Sequence, residues 1–266
     1  MKLAQRIVVG VGVVVGLVLL GVAVYLLVDI VQGSGRVQAL SNVTYRGPNG
    51  ETRYGYLAVP DGPGPHPTIM LGHEWWGLTE DIVDKADLLA AEGYIAFAPN
   101  LWGETSTAAV PRAIFLVATT PQETLNAEMD AAMEYLLAVD GVDAQQLAAL
   151  GFCFGGRQVM WLATRYRGLD AVVQFYGGTI SDPAELGVLA ENAPMLGIFG
   201  DADTILPVAE VEAFGESLTE QGIAHTFTIY PGVGHAFANG MDALNRPGPA
   251  QEAWEQTLAF LAAEVE

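Results

Sequence analysis

Between Arg6 and Asp29 the chain carries no charged side chain, and after that point its pattern changes in kind. The stretch "IVVGVGVVVGLVLLGVAVYLLV" (7–28) is long enough for a helix of about 33 Å, against a bilayer hydrocarbon core of about 30 Å. It predicts one N-terminal transmembrane helix. A secretory signal has a shorter apolar region and a small-residue cleavage site. No A-x-A follows here, although "VQGSG" (31–35) leaves secretion after cleavage as the alternative. Residues 29–40, which contain "GSG", read as a short tether. The expected division is therefore an anchor and tether over 1–36 and one large domain over 37–266.

Beyond the tether, short apolar runs alternate with segments of helical period. "VTYRGPNGETRYGYLAVP" (43–60) predicts two strands joined at "PNGE". "TIMLGH" (68–73) and "YIAFAP" (94–99) are strands flanking a helix over 78–93, with Thr79 as its cap and Gly93 as its stop. Leu125, Met129, Ala132, Met133, Leu136 and Leu137 predict a helix over 121–141. A strand "QLAALGF" (146–152) leads to a helix over 155–166. "AVVQFYG", "MLGIFG" and "HTFTIY" are further strands, with helices near 207–221 and 249–264. Strands alternating with helices imply an α/β domain whose mainly parallel, doubly wound sheet is covered on both faces.

Charge narrows the partners. The chain has 31 acidic and 11 basic side chains, a net charge of −20. Lys2, Arg6 and Arg36 against Asp29 leave +2 on residues 1–36 and −22 on the rest. A domain that acidic repels phosphate backbones, so nucleic acid is excluded as a partner. Lys2 and Arg6 precede the span, which favours the amino terminus inside and the large domain outside. The Gly12-to-Gly16 spacing is compatible with close packing of two such helices as a homodimer. The single cysteine excludes an intramolecular disulfide.

That cysteine lies in "GFCFGG" (151–156), between a predicted strand and a predicted helix. G-x-C-x-G there has the form of a nucleophile elbow with Cys in place of Ser. The flanking glycines allow a tight turn, and the amino terminus of the following helix favours thiolate. An elbow calls for an acid and then a histidine further along the chain. "GDADTILP" (200–207) offers Asp201 and Asp203 after one strand, and "GVGHAF" (232–237) offers His235 after the next. Both loops leave the carboxyl ends of strands, the face where such sheets build sites. His66 and His225 have no suitably spaced partners and read as surface residues. "HEWWG" (73–77) is not H-E-x-x-H, so no metal is assigned to His73.

Together, "GFCFGG", "GDADTILP", "YPGVGHAF" and "HEWWGLTEDIVDKADLLAAEGYIAFAPNLW" resemble the dienelactone hydrolase family of α/β-hydrolases, over roughly residues 40–265. The resemblance implies an α/β-hydrolase fold with Cys153 as nucleophile, His235 as base and Asp203 as acid. Asp203 is preferred to Asp201 because Gly200, Asp203 and Pro207 match the family's spacing. It also implies that Glu74 contacts the resting thiol, and that the backbone N–H groups of Trp75 and Phe154 form the oxyanion hole. Trp75 and Trp76 fit either the core or an acyl pocket. The expected activity is cofactor-free hydrolysis of a small carboxylic ester or lactone. The alternatives are a non-catalytic binding domain, or a true dienelactone hydrolase acting on an anionic lactone. Family members that take the anionic lactone hold its carboxylate with arginines. Asn239 stands where one of these would lie, and Arg112 falls in a segment where another could, so a neutral substrate is expected.

Overall fold

The computed structural model describes residues 2–180, 182–186, 189 and 193–265. Eight strands form one sheet in the order β1-β2-β4-β3-β5-β6-β7-β8. β1 (Val43–Arg46) and β2 (Thr52–Ala58) make the predicted hairpin, and β2 pairs antiparallel with β4 (Ile95–Pro99). All other pairings, among β4, β3 (His66–Gly72), β5 (Val142–Phe152), β6 (Ala171–Phe175), β7 (Met195–Gly200) and β8 (His225–Tyr230), are parallel. The mainly parallel, doubly wound sheet expected from the sequence is what forms. β4, β6 and β7 are buried at every position, which is why they read as continuous apolar runs and not as alternating ones.

Two apolar cores lie on opposite faces of the sheet. One packs α4 (Gln122–Leu137), α5 (Phe154–Ala163) and α7 (Val208–Glu220) through Leu125, Met129, Val159 and Phe214. The other packs α2 (Glu80–Ala91) and α9 (Pro249–Glu264) through Ile82, Leu89, Trp254 and Leu261. Three helices have no counterpart in the sequence reading. α6 (Pro183–Leu186) and α8 (Met241–Leu244) are single turns, too short to show a period. α3 (Val110–Thr119) buries only Ala113 and leaves most of its apolar side chains exposed, so its apolar positions do not trace a packed face.

The tether is the main correction. Residues 29–40 are not an irregular linker but the last turns of α1, one helix over Lys2–Leu40. Gly33 of its "GSG" serves contact instead of flexibility. A Cβ on Gly33 would lie 2.2 Å from Thr105 Oγ1 and 2.6 Å from Ser106 O, so only glycine lets α1 approach the segment before α3. There the Asp29 carboxylate accepts from Thr107 Oγ1 (2.6 Å), Ala108 N–H (2.9 Å), Arg36 (2.7 Å) and Arg112 (3.1 Å).

Candidate active site

Cys153 occupies the turn from β5 to α5 with φ 52° and ψ −115°. A positive φ in a non-glycine residue costs on the order of 1–3 kcal/mol. The surroundings hold it, since Cys153 N–H donates to Phe175 O of β6 at 2.9 Å. The flanking glycines let strand and helix close around the turn. A Cβ on Gly155 would meet Gly72 C and O at 2.3 Å, and one on Gly151 would meet Gly155 O at 2.3 Å. The thiol is thereby lifted off the carboxyl edge of the sheet.

The loops after β7 and β8 bring their side chains to the same edge. His235 Nε2 lies 3.1 Å from Cys153 Sγ, and His235 Nδ1 lies 2.7 Å from Asp203 Oδ2. Asp203 is buried, and its Oδ1 accepts from Ile205 N–H (2.7 Å) and Leu206 N–H (3.0 Å). Asp201, the other acid in the loop, is exposed and accepts from Gly232 N–H instead. The Tyr176 ring packs 5.1 Å from that of His235.

The electrostatics run against a resting thiolate. Burial pushes the Cys153 thiol up to about 12, and the charge of Glu74 adds to this. The N–H groups of Phe154 and Trp75, both directed at the sulfur, pull the other way and do not win. The helix terminus favours thiolate, but burial outweighs it, in keeping with the resting thiol that the family resemblance implies. Glu74 is 6 % exposed, and its Oε1 has no hydrogen-bond partner. Burial raises its carboxyl above the usual range, opposed by the Asn239 amide and by Lys85. Lys85 is itself fully buried, paired with Asp81 and lying over the Phe152 ring.

These groups open into a cavity of about 480 Å³ lined by Glu74, Trp75, Trp76, Cys153, Phe154 and His235, among others. Both tryptophans thus face the cavity. Asn239 lines it too, but Arg112 does not. Arg112 is turned to α1, where it binds Asp29, Ser106 O and Thr105 Oγ1, so its assignment to substrate binding is corrected. The arginine that does reach the cavity is Arg157, which the sequence reading passed over. Its signal was helical spacing, four residues after Cys153 and so on the nucleophile's side of α5. Tyr176 was missed as well, although "YGG" at the end of a buried strand marked a tight turn, and its φ is 40°.

His73 takes a structural place in the core. It is fully buried, with Nδ1–H donating to Glu74 O (2.5 Å) and Nε2 accepting from Leu101 N–H (2.9 Å). Both nitrogens are thus spent on backbone groups, one on Glu74 and one on Leu101, and Trp102 Nε1–H adds a bond to Trp75 O (2.9 Å). His225 is half-buried against Phe227 and bonded to Ile223 O, a structural role in place of the expected surface one.

Comparison with known proteins agrees with this geometry. The family model described as "Dienelactone hydrolase family" matches residues 54–265. A Methylorubrum extorquens protein named "Putative carboxymethylenebutenolidase" is 34 % identical over 214 residues, covering 76 % of this chain and 73 % of that protein. A Salmonella typhimurium protein of the same name is 32 % identical over 232 residues, covering 80 % and 83 %. The solved structure titled "Putative Dienelactone Hydrolase" from Klebsiella pneumoniae superposes with a TM-score of 0.71 at 30 % identity, covering 83 % of this chain and 97 % of that one. An α/β-hydrolase sheet, a strained Cys turn and a match over most of the chain lead to one conclusion: this chain belongs to the dienelactone hydrolase family and is a hydrolase acting on esters or lactones.

Proposed function

We propose that the chain cleaves a carboxylic ester or lactone through a Cys153–His235–Asp203 triad and a thioester acyl-enzyme, on a single-pass membrane anchor. The observation that carries this is the unbroken line from Asp203 Oδ2 through His235 to Cys153 Sγ, at 2.7 and 3.1 Å. Substrate enters with its carbonyl against the sulfur. His235 Nε2 takes the thiol proton, and Asp203 holds the imidazolium that forms. The sulfur attacks the carbonyl carbon, and its oxygen gathers negative charge between the N–H groups of Trp75 and Phe154. Losing one such donor costs a factor of about 10²–10³ in rate. Collapse expels the alkoxide, which takes the proton from His235 and leaves as the alcohol, or as the free hydroxyl end of an opened lactone. Water then loses a proton to His235 and attacks the thioester. The thiolate departs and is reprotonated, and the acid is released.

Ester turnover by the purified chain, abolished in Cys153→Ala, tests this reading against that of a non-catalytic binding domain. Because burial and Glu74 hold the thiol near 12, iodoacetamide labelling of the resting protein is slow and climbs with pH without a plateau below about pH 10. Full activity in Cys153→Ala would falsify the assignment.

Two observations bear on substrate charge. Asn239 offers no cation to a carboxylate, and a surface of −22 beyond residue 36 repels anions, which favours neutral esters and lactones. Arg157 in the cavity wall favours the second reading, an anionic lactone. kcat/KM for neutral short-chain esters is expected to exceed that for dienelactone. The ratio is expected to stay constant in Arg157→Gln. A selective loss of about 10-fold or more on dienelactone in that variant would instead assign Arg157 to a substrate carboxylate.

For topology, the Lys2 and Arg6 charges ahead of the span support an extracytoplasmic domain. Protease added to intact spheroplasts is then expected to digest the domain. Digestion that requires lysis would reverse the orientation, and a native chain starting near residue 34 would make the span a cleaved signal.

A further inference from the structure

Outside α1, the described residues expose six large apolar side chains: Val59, Val110, Ile114, Phe115, Val117 and Ile205. All but Val59 belong to α3 or to the loop carrying Asp203. Ile114 is 52 %, Phe115 62 % and Ile205 67 % exposed, and the only buried residue of α3 is Ala113. A soluble acidic protein has no use for such a patch in water, and large apolar patches mark contact sites. The charge pattern singles out the same segment. Between Glu104 and Glu123 this strongly acidic chain has no acidic residue, and the one charge on α3, Arg112, is neutralised by Asp29.

What covers the patch follows from where α1 holds it. Asp29, one residue beyond the uncharged run 7–28, binds Thr107, Ala108 and Arg112, the residues that lead into and begin α3. Tyr25, inside that run, donates to Ala108 O at 3.4 Å. If 7–28 crosses the bilayer, the start of α3 therefore lies at the depth where the span leaves the hydrocarbon, with no flexible linker between them. Two residues of the patch, Val117 and Ile205, also line the cavity that holds Cys153.

We propose that α3 and Ile205 lie in the lipid interface as a second membrane contact, so that the mouth of the cavity opens onto the bilayer and admits a neutral, lipid-dissolved ester or lactone from it. The inference rests on residues 7–28 being an uncleaved span and on the cavity being the ester site. The patch supplies the apolar face of an interfacial helix, and its continuity with the cavity wall gives a substrate an apolar route to the thiol.

The test uses the full chain reconstituted in dioleoylphosphatidylcholine vesicles. In a Cys153→Ala background, which removes the only native thiol, Phe115→Cys carries a nitrobenzoxadiazole fluorophore. Val59→Cys, beside the amino end of β4 and so away from the site edge, carries it as the control. The label at 115 is expected to show blue-shifted emission and quenching by spin-labelled lipid, and the label at 59 neither. In the active chain, Ile114→Ser with Phe115→Ser is expected to lower turnover of 4-nitrophenyl palmitate in the bilayer by about 10-fold while leaving water-soluble 4-nitrophenyl acetate within about twofold. Neither residue lines the cavity. A chain that floats with the vesicles while its 115 label reports water overturns the inference and leaves the span intact. Equal loss on both esters, or no loss on the palmitate, overturns the delivery route. A chain that fails to float removes the span and the inference with it. Absence of turnover on either ester defeats the esterase reading, and the fluorescence result then stands independently.

Discussion

Cys153 and Glu74 line the same cavity, and the charge of one acts on the other. Burial raises the thiol first and the Glu74 charge second, so the resting nucleophile is kept protonated at neutral pH. Replacing Glu74 by Gln removes the second cause and leaves the first. Alkylation of Cys153 by iodoacetamide at pH 8 is expected to become about three- to tenfold faster in Glu74→Gln, measured by intact mass against time. An unchanged rate would mean that burial alone holds the thiol. Glu74 was legible from its place in "HEWWG" and from family likeness, as were Cys153, Asp203 and His235, because strand ends and glycines mark their loops. Arg157 and Arg112 were not. A sequence shows that an arginine is present but not which way its long side chain turns, and Arg112 turns to a carboxylate 83 positions earlier.

At the scale of elements, the segment after β3 carries Glu74 and Trp75, and in the proposed mechanism it must be held still for the Trp75 N–H to serve a developing oxyanion. His73 does this by binding Glu74 O and Leu101 N–H, which ties that segment to the one after β4. Burial lowers His73 from 6.5 to about 4, so it stays neutral in the fold. The unfolded chain then binds more protons between about pH 6.5 and 4, and stability falls as pH drops through that window. The loss attributable to His73 is about 3 kcal/mol on going from above pH 6.5 to below pH 4. Denaturant melts at pH 7.5, 6, 5 and 4 are expected to show a steeper decline in the native chain than in His73→Gln. Parallel declines would refute it. The strands and long helices were readable because each carries a clean apolar period or a continuous apolar run. α3 was not, since its apolar side chains stay exposed and trace no buried stripe.

For the whole molecule, the decisive contact is the one between α1 and the domain. Asp29 is 4 % exposed and answers two arginines, a hydroxyl and a backbone N–H. Asp29→Ala leaves Arg112, with a side chain 13 % exposed, without its carboxylate. The expected cost is about 2–3 kcal/mol, or roughly 5–10 °C in Tm, read by thermal unfolding of the full chain in detergent. Asp29→Asn is expected to lose less, because its amide oxygen still accepts from Ala108 N–H while its NH2 faces the Thr107 hydroxyl, which can accept. No sequence pattern announced this contact. "GSG" reads as a hinge unless the surface that Gly33 must touch is known.

If residues 7–28 span the bilayer as proposed, an unbroken α1 also works as a ruler. Each helical residue adds about 1.5 Å, so seven more between Val28 and Asp29 would raise the domain by about 10 Å without altering any contact inside it. A floppy tether would absorb such an insertion unnoticed. A rigid post cannot, and the altitude of the active site above the lipid becomes a quantity written in residue count, one that insertion and deletion can set step by step.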